Sequence, residues 1–347
     1  MVKKKYTIKD IARLAGVSKG TVDRVLHKRG KVSQKAFEKV DAVLKKIDYH
    51  PNPIARNLKT NKVYNICVLL PDPEVDPYWD PAHEGILQAA EEFMPFGVIV
   101  EEFFYHPHNK SSFVAISKKA LQSAPDALLM APLFHDESLE LFNKCRAKDI
   151  VIASFNNSID PLHNENFIGQ DLFQSGRVAA SLIDKMIQGK EAKIGILHVN
   201  LEPHMQLKED GFKSYFSDKE LKQVKMITHI FRTDGAISFE EQLRQFLNSN
   251  RDLSAIFVTN SKAFLLTEVL QKELRNAVVV GYDLLKENIG FIEQGSIDFL
   301  IHQKPKRQAY LGVGQLAEHF LFGKSIPSKK LLPIDVITSE NVQYYHS

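Results

Sequence analysis

A chain of 347 residues is long enough for two or three compact domains, each burying its own core. Its 44% hydrophobic and 25% charged residues exclude a disordered, collagenous or disulfide-stapled chain, and no apolar run reaches membrane-span length. The net charge of +3 hides an asymmetry: residues 1–62 hold 17 Lys and Arg against 5 Asp and Glu, or +12, whereas the other 285 hold 28 against 37, or −9.

So much positive charge on a small ordered segment suits a phosphate-rich partner. The segment also carries helical periodicity. Thr7 and Asp10 form a capping-box-like start, and Ile8, Ile11, Ala12 and Leu14 then fall on one face of a helix running about from Thr7 to Leu14. Gly16 suits a tight turn, and Ser18 can cap a second helix that carries Val22, Val25 and Leu26 inward. After a basic loop, His27 to Lys31, Ser33 begins a third helix with the stripe Ala36, Phe37, Val40, Val43, Leu44 and Ile47. Three such helices can close one small core. The outer face of the second, with Lys19, Gly20 and Arg24, is then free to enter a DNA major groove, where Arg24 can grip guanine through two hydrogen bonds.

The stretches TIKDIARLAGVSKGTVDRVLH and YHPNPIARNLKT resemble the head of the LacI/GalR family of bacterial transcription regulators. The resemblance implies a DNA-reading set that adds Thr7, Ser18, Thr21, His27, Lys31, Ser33, Tyr49 and Asn52 to Lys19, Gly20 and Arg24. It also implies a hinge helix over Pro53–Thr60 with Ala55 and Leu58 on its face, Leu58 being the wedge inserted at a minor-groove step. Eight residues are too few for a stable isolated helix, so the hinge is expected to order when two copies meet on DNA. Asp23 departs from the family, which usually has serine there. An acid beside phosphates needs a partner such as Arg13, Lys28 or a cytosine amino group.

From Val63 onward, short apolar runs alternate with amphipathic stretches. The runs are 64–70, 98–103, 127–131, 150–154, 193–199, 255–259 and 277–282; helical patterns lie near 81–93, 111–122, 137–147, 172–188, 207–216, 239–247 and 263–271, with a long one from about Lys306. Repeated strand-then-helix order means doubly wound parallel sheets, here divided near 164–169 into two similar lobes. The expected fold is therefore an all-α helix-turn-helix domain (1–50), a hinge or linker (51–62) and an α/β two-lobed sensor of the periplasmic-binding-protein type I (63–347). Ligands of such folds lie at the carboxyl ends of the strands, which places the site in the cleft between lobes.

After the first run, LLPDPEVDPYWDPAHEGILQAA resembles the sugar-contacting loop of such lobes. Tyr78 and Trp79 offer flat faces for a sugar ring, and Asp76 offers an acceptor for hydroxyls. Asn156, Asn260, Asp283 and Gln303 follow other strands and match family positions that hold sugar hydroxyls. Where the family has R-x-x-G-F, this chain has Lys208 before Gly211-Phe212, which keeps the charge and loses the planar fork.

Other motifs carry less. Gly323-Lys324-Ser325 lacks the rest of a phosphate loop, and Gly312-Val313-Gly314 lies inside a helical pattern where close packing explains it. The 13 histidines show no zinc-type helix pair, and there is no G-x-S-x-G elbow, so neither cofactor, metal nor catalytic residue is expected. Cys67 and Cys145 suit a reducing compartment, and MVKKKYTIKD is not followed by an apolar core, so a cytoplasmic location is expected. The function expected is that of a homodimeric repressor or other regulator, binding a roughly palindromic DNA operator under control of a small carbohydrate, with no membrane partner. The alternatives are a transport-type sugar-binding protein and, behind it, an enzyme on the same scaffold.

Overall fold

In the computed structural model, which describes residues 6–26, 29–47, 49, 62–159, 166–233, 235–272 and 277–345, the first helix opens with a reciprocal cap. Asp10 N–H donates to the Thr7 hydroxyl (3.3 Å) and Thr7 N–H to the Asp10 carboxylate (3.0 Å). Helix α1 (Ile8–Ala15) ends at Gly16, whose φ of +62° lets its N–H reach back to the last turn. Helix α2 (Lys19–Leu26) and helix α3 (Gln34–Lys46) follow. Ile11, Val22, Val25 and Val40 form the buried centre of this bundle. Two members of the expected stripes lie outside it: Leu14 is 50% and Phe37 44% exposed. On helices of 8 and 13 residues the apolar arc is wider than the core that three short helices can enclose. Ser33 occupies the cap position of α3 without a side-chain capping bond.

The chain divides into two compact units, Met1–Thr60 and Asn61–Ser347. The proposed hinge, with Asn52, Ala55 and Leu58, and also His27 and Lys28, lie outside the described residues.

In the larger unit, two six-stranded sheets are flanked by helices. The first lobe contains β1 (Tyr64–Pro71), α4 (Asp80–Phe93), β2 (Val98–Tyr105), α5 (Lys110–Gln122), β3 (Ala127–Met130), α6 (His135–Ala147), β4 (Val151–Phe155) and β5 (Phe167–Gly169). The second contains α7 (Leu172–Ile187), β6 (Ala192–Val199), α8 (Pro203–Asp218), β7 (Val224–Phe231), α9 (Phe239–Ser249), β8 (Leu253–Val258), α10 (Ala263–Lys272), β9 (Val278–Tyr282), α11 (Lys286–Glu293) and β10 (Phe299–His302). The chain then returns: α12 (Pro305–Phe322) packs Ala309, Val313 and Leu316 into the first lobe's core with Ile66, Val68 and Ile86. Strand β11 (Lys329–Leu331) pairs with β5, and β12 (Asp335–Ile337) pairs antiparallel with β10. The sheet orders are β11-β5-β4-β3-β1-β2 and β12-β10-β9-β8-β6-β7.

The expected single division near 164–169 is thus one of three crossings, at residues 170–171, 303–304 and 332–334. Helices α7 and α8 meet backbone to backbone: a Cβ on Gly211 would lie 1.9 Å from the Phe173 carbonyl, and one on Gly176 1.9 Å from that of Lys208. That contact seats the start of α8, and with it Lys208, against the wall of the cleft.

Candidate functional site

The strands of both lobes end in polar residues. Asn156 follows β4 at φ +68° and Asp283 follows β9 at φ +62°. Each chain turns sharply there, in a region that Asn and Asp tolerate better than most residues. Asn260 lies two residues beyond β8, Gln303 directly follows β10, and Asp76, Tyr78 and Trp79 come from the loop between β1 and α4.

These residues, with Lys208 of α8, line one cavity of about 520 Å³, counted to its open mouth. All eight residues expected from the sequence are brought together there. Within it, the Asp283 carboxylate accepts from the Gln303 backbone N–H (2.9 Å) and side-chain amide (2.6 Å). Asn156 donates its side-chain amide to the Tyr78 hydroxyl, and its backbone N–H to Gln308 Oε1 (2.8 Å). Gln308 Nε2 in turn donates to the Gln303 carbonyl (2.6 Å), which joins the two lobes' polar groups at a crossing. Asn260 donates to the Val199 carbonyl (2.8 Å), and Asp76 caps its own turn by accepting from Tyr78 N–H (3.2 Å).

Three placements differ from the simplest expectation. Tyr78 and Trp79 wall the cavity, yet they are only 9% and 2% exposed, and Trp79 stands edge-on to Phe155, so no open stacking face is presented. Lys208 is fully buried. Its ammonium donates to the Thr259 carbonyl (3.0 Å) and lies 3.8 Å over the Tyr282 ring, so the protein already engages it. Behind it, His198 bridges Thr259 (2.8 Å) and Glu209 (2.7 Å), and Lys213 pairs with Glu209.

The cavity also contains residues that sequence reasoning passed over: His108, Asn157, Glu202, His204, Ser261 and Lys262. Asn157 is the second amide of the SFNN stretch. Glu202 lies in the short loop between β6 and α8 and His204 in the first turn of α8, so following each strand into the next helix would have found them.

Their charges interact. Burial, with Asp76 beside it, pushes the Glu202 carboxyl up to about 7, although 36% of its side chain stays open to the cleft. Burial near Lys208 and His198 takes His204 down to about 3, so the imidazole 3.4 Å from Glu202 is neutral. Burial lowers Lys208 to about 8 against the pull of Asp283 and Glu202. It raises Asp283, with His302, Lys208 and the Gln303 donors holding it back. Among the described residues no cluster of His, Cys, Asp and Glu is arranged to hold a metal ion, and no helix is long and apolar enough to cross a membrane.

In the head, the Ser18 hydroxyl accepts from Thr21 N–H (3.1 Å) and bonds the Thr21 hydroxyl (2.9 Å), so both residues fix the start of α2. Lys19, Gly20 and Arg24 are exposed, and Arg24 runs past Gly20, where an added Cβ would lie 3.8 Å from Nη2. Thr7, Lys31 and Ser33 are exposed, and Tyr49 is half-buried. Arg13 lies 3.6 Å from Asp10 of its own helix.

A family model described as periplasmic binding protein domain matches residues 66–325, and one described as bacterial regulatory proteins, lacI family, matches residues 7–52. The chain belongs to the lacI family. It is a DNA-binding transcriptional regulator with a periplasmic-binding-protein-like sensor unit. It is 24% identical over 353 residues to the sucrose operon repressor of Streptococcus mutans, covering 96% of this chain and 98% of that one. A crystal structure of a putative LacI transcriptional regulator from Bacteroides fragilis superposes with a TM-score of 0.75 at 26% identity, over 82% of this chain and all of that one. GanP, a glucose-galactose binding protein from Geobacillus stearothermophilus, shares the fold at a TM-score of 0.70 and 22% identity, over 81% of this chain and 99% of that one.

Proposed function

We propose that this lacI-family protein is a homodimeric repressor of a roughly palindromic operator, released or retained according to a small carbohydrate bound between the lobes. The observation that carries the reading is the single cavity to which the first lobe contributes Asp76, Tyr78 and Asn156 and the second Asn260, Asp283 and Gln303. Neutral polyols are held by this kind of amide and carboxylate set, whose members each accept or donate in a fixed direction. The sucrose operon repressor named above points to the same ligand class.

Because the ligand touches both lobes, it binds best at one angle between them. DNA affinity then changes by the difference in its affinity for the two arrangements. A coupling of about 1–3 kcal/mol changes operator affinity about 5–150-fold. In the head, Lys19, Gly20, Arg24, Thr21, Lys31 and Tyr49 are the DNA-facing set, with Thr7, Ser18 and Ser33 at helix starts. Leu58 is the proposed wedge, and Asn52, Ala55 and His27 complete the DNA-binding set read from the sequence.

Calorimetric titration of a carbohydrate panel into the full chain tests the sensor, with saturable binding of one member expected. Selection from a random duplex pool tests the head and is expected to return a two-fold symmetric sequence. Leu58→Ala is expected to weaken specific binding far more than non-specific binding. Failure of every sugar to bind, with DNA selection succeeding, removes the carbohydrate and keeps the regulator.

A further inference from the structure

Two buried glutamines stand where the chain passes between the lobes. Gln170 is 3% and Gln308 1% exposed, and neither lines the polar cavity. From its place in the first crossing, Gln170 Nε2 donates to the carbonyls of His302 (2.9 Å), at the edge of the second, and Pro333 (2.8 Å), in the third. Gln308 Nε2 donates to the Gln303 carbonyl (2.6 Å), while its Oε1 accepts from Asn156 N–H (2.8 Å). A carbonyl oxygen moves with its whole planar peptide unit. The bonds to His302 and Gln303 therefore hold the successive peptide units on both sides of Gln303, and the bond to Pro333 holds one in the third crossing. These are the units through which one lobe turns on the other. Next to them, Lys304 is kept at φ +61°, a region that few side-chain-bearing residues adopt.

Gln308 also completes a relay across the hinge. Asp283 of the second lobe accepts two bonds from Gln303, Gln303 is bonded to Gln308, and Gln308 lies on α12, whose next residue, Ala309, packs in the first lobe's core. Its other bond fixes the turn at Asn156. With these bonds made, the Gln303 amide lies 3.4 Å from the hydroxyl of Tyr78, on the first lobe's side of the cleft, so the relay belongs to a closed arrangement.

We propose that Gln170 and Gln308 are positioning residues of the lobe hinge, which clamp the peptide units of the crossings and so favour the closed cleft without touching the ligand. This role rests on the lobe-angle mechanism proposed above and is independent of which ligand fills the cavity. Loss of either clamp frees the crossing torsions and lets the lobes part.

Spin labels on Ser111→Cys and Ala236→Cys report the angle. Both positions are exposed and follow β2 and β7, the edge strands farthest from the crossings, where opening gives the largest displacement. Cys67 and Cys145 are buried and escape the label. With labelled full chain diluted in unlabelled chain, pulsed electron double resonance is expected to show the distance longer by about 2 Å or more in Gln170→Met and in Gln308→Met, which keep the length and lose the amide. Thr267→Val removes a buried hydrogen bond to the Ala263 carbonyl (3.0 Å) inside α10 and should leave the distance unchanged. Gln170→Asn and Gln308→Asn, too short to reach, replace a methionine variant that does not fold, and a position at which neither folds is structural only. The parent's distance in a folded variant overturns the role of that glutamine, and an equal shift in Thr267→Val overturns both. A longer distance with unchanged affinity for the selected DNA duplex keeps the clamps and removes the lobe-angle mechanism.

Discussion

Asn156 and Asp283 hold the same position in different lobes. Each directly follows a central strand at positive φ, and each donates its backbone N–H to the neighbouring strand, Asn156 to Ile168 (3.1 Å) and Asp283 to Ile301 (3.0 Å). The cavity is built between these two matched turns, and their substitution separates ligand binding from folding.

Replacing Asp283 with Ala removes the acceptor of two Gln303 donors and places a Cβ residue with no polar side chain at φ +62°. A stability loss of about 2–3 kcal/mol is expected, along with loss of the carbohydrate response. Asp283→Asn keeps the turn and one acceptor and should lose less than half as much stability. Urea unfolding of the two variants checks the ranking, and equal losses would mean that the hydrogen bonds to Gln303 contribute nothing.

Gly211→Ala tests the seat of Lys208. The added methyl would meet the Phe173 carbonyl at 1.9 Å, and backbone on both sides leaves little room to yield. The variant is expected to be destabilised by about 2–3 kcal/mol or more, seen as a lower melting temperature. A melting temperature within a degree or so of the parent would show that α7 and α8 can slide apart.

On the head, Arg24→Ala and Lys19→Ala both remove exposed charge and should leave stability nearly unchanged. Arg24→Ala is expected to cost about 1–3 kcal/mol in specific binding and to relax preference at one base pair. Lys19→Ala should weaken all sequences alike and reduce the salt slope by about 1. Fluorescence anisotropy across a salt series distinguishes them, and a uniform loss for Arg24→Ala would reassign it to phosphate.

The pH dependence of stability should have three limbs, the first from His204: its pKa falls from 6.5 to about 3, so the unfolded chain holds more protons and this contribution rises with pH in that window, opposing that of Glu202. Glu202 rises from an ordinary 4.5 to about 7, so the folded chain binds its proton more tightly than the unfolded one, and stability falls as pH increases between those values. Lys208 falls from 10.5 to about 8, so the unfolded chain holds more protons above pH 8 and stability rises with pH through that window. Glu202→Gln should remove the Glu202 limb and shift the Lys208 limb to lower pH, because Glu202 helps to hold the Lys208 proton, measured as denaturant midpoints from pH 5 to 9. If the Glu202 limb persists in that variant, its source is another group.

The head was legible because its signals are local: Thr7 and Asp10 cap within one turn, Gly16 takes the left-handed turn, and Arg24 projects from an eight-residue helix. The polar ends of strands were equally visible, since a strand that stops at the mouth of a parallel sheet must end in residues that tolerate water. Strands β5, β11 and β12, of three residues each, were not, and neither was β7, whose half-exposed edge position blurs the alternation of buried and open residues.

By itself, the amino-acid order determined the basic head, the alternation of strands and helices and eight of the residues that line the cleft, because periodicity and capping act over a few residues. Only tertiary structure decided that the chain crosses between lobes three times and that Gln170 joins those crossings. It alone turned Trp79 edge-on into a wall and occupied the Lys208 ammonium with Thr259 and Tyr282. These outcomes depend on which distant segments pack together, and that is set by the summed burial of surfaces far apart in sequence, which no local pattern records.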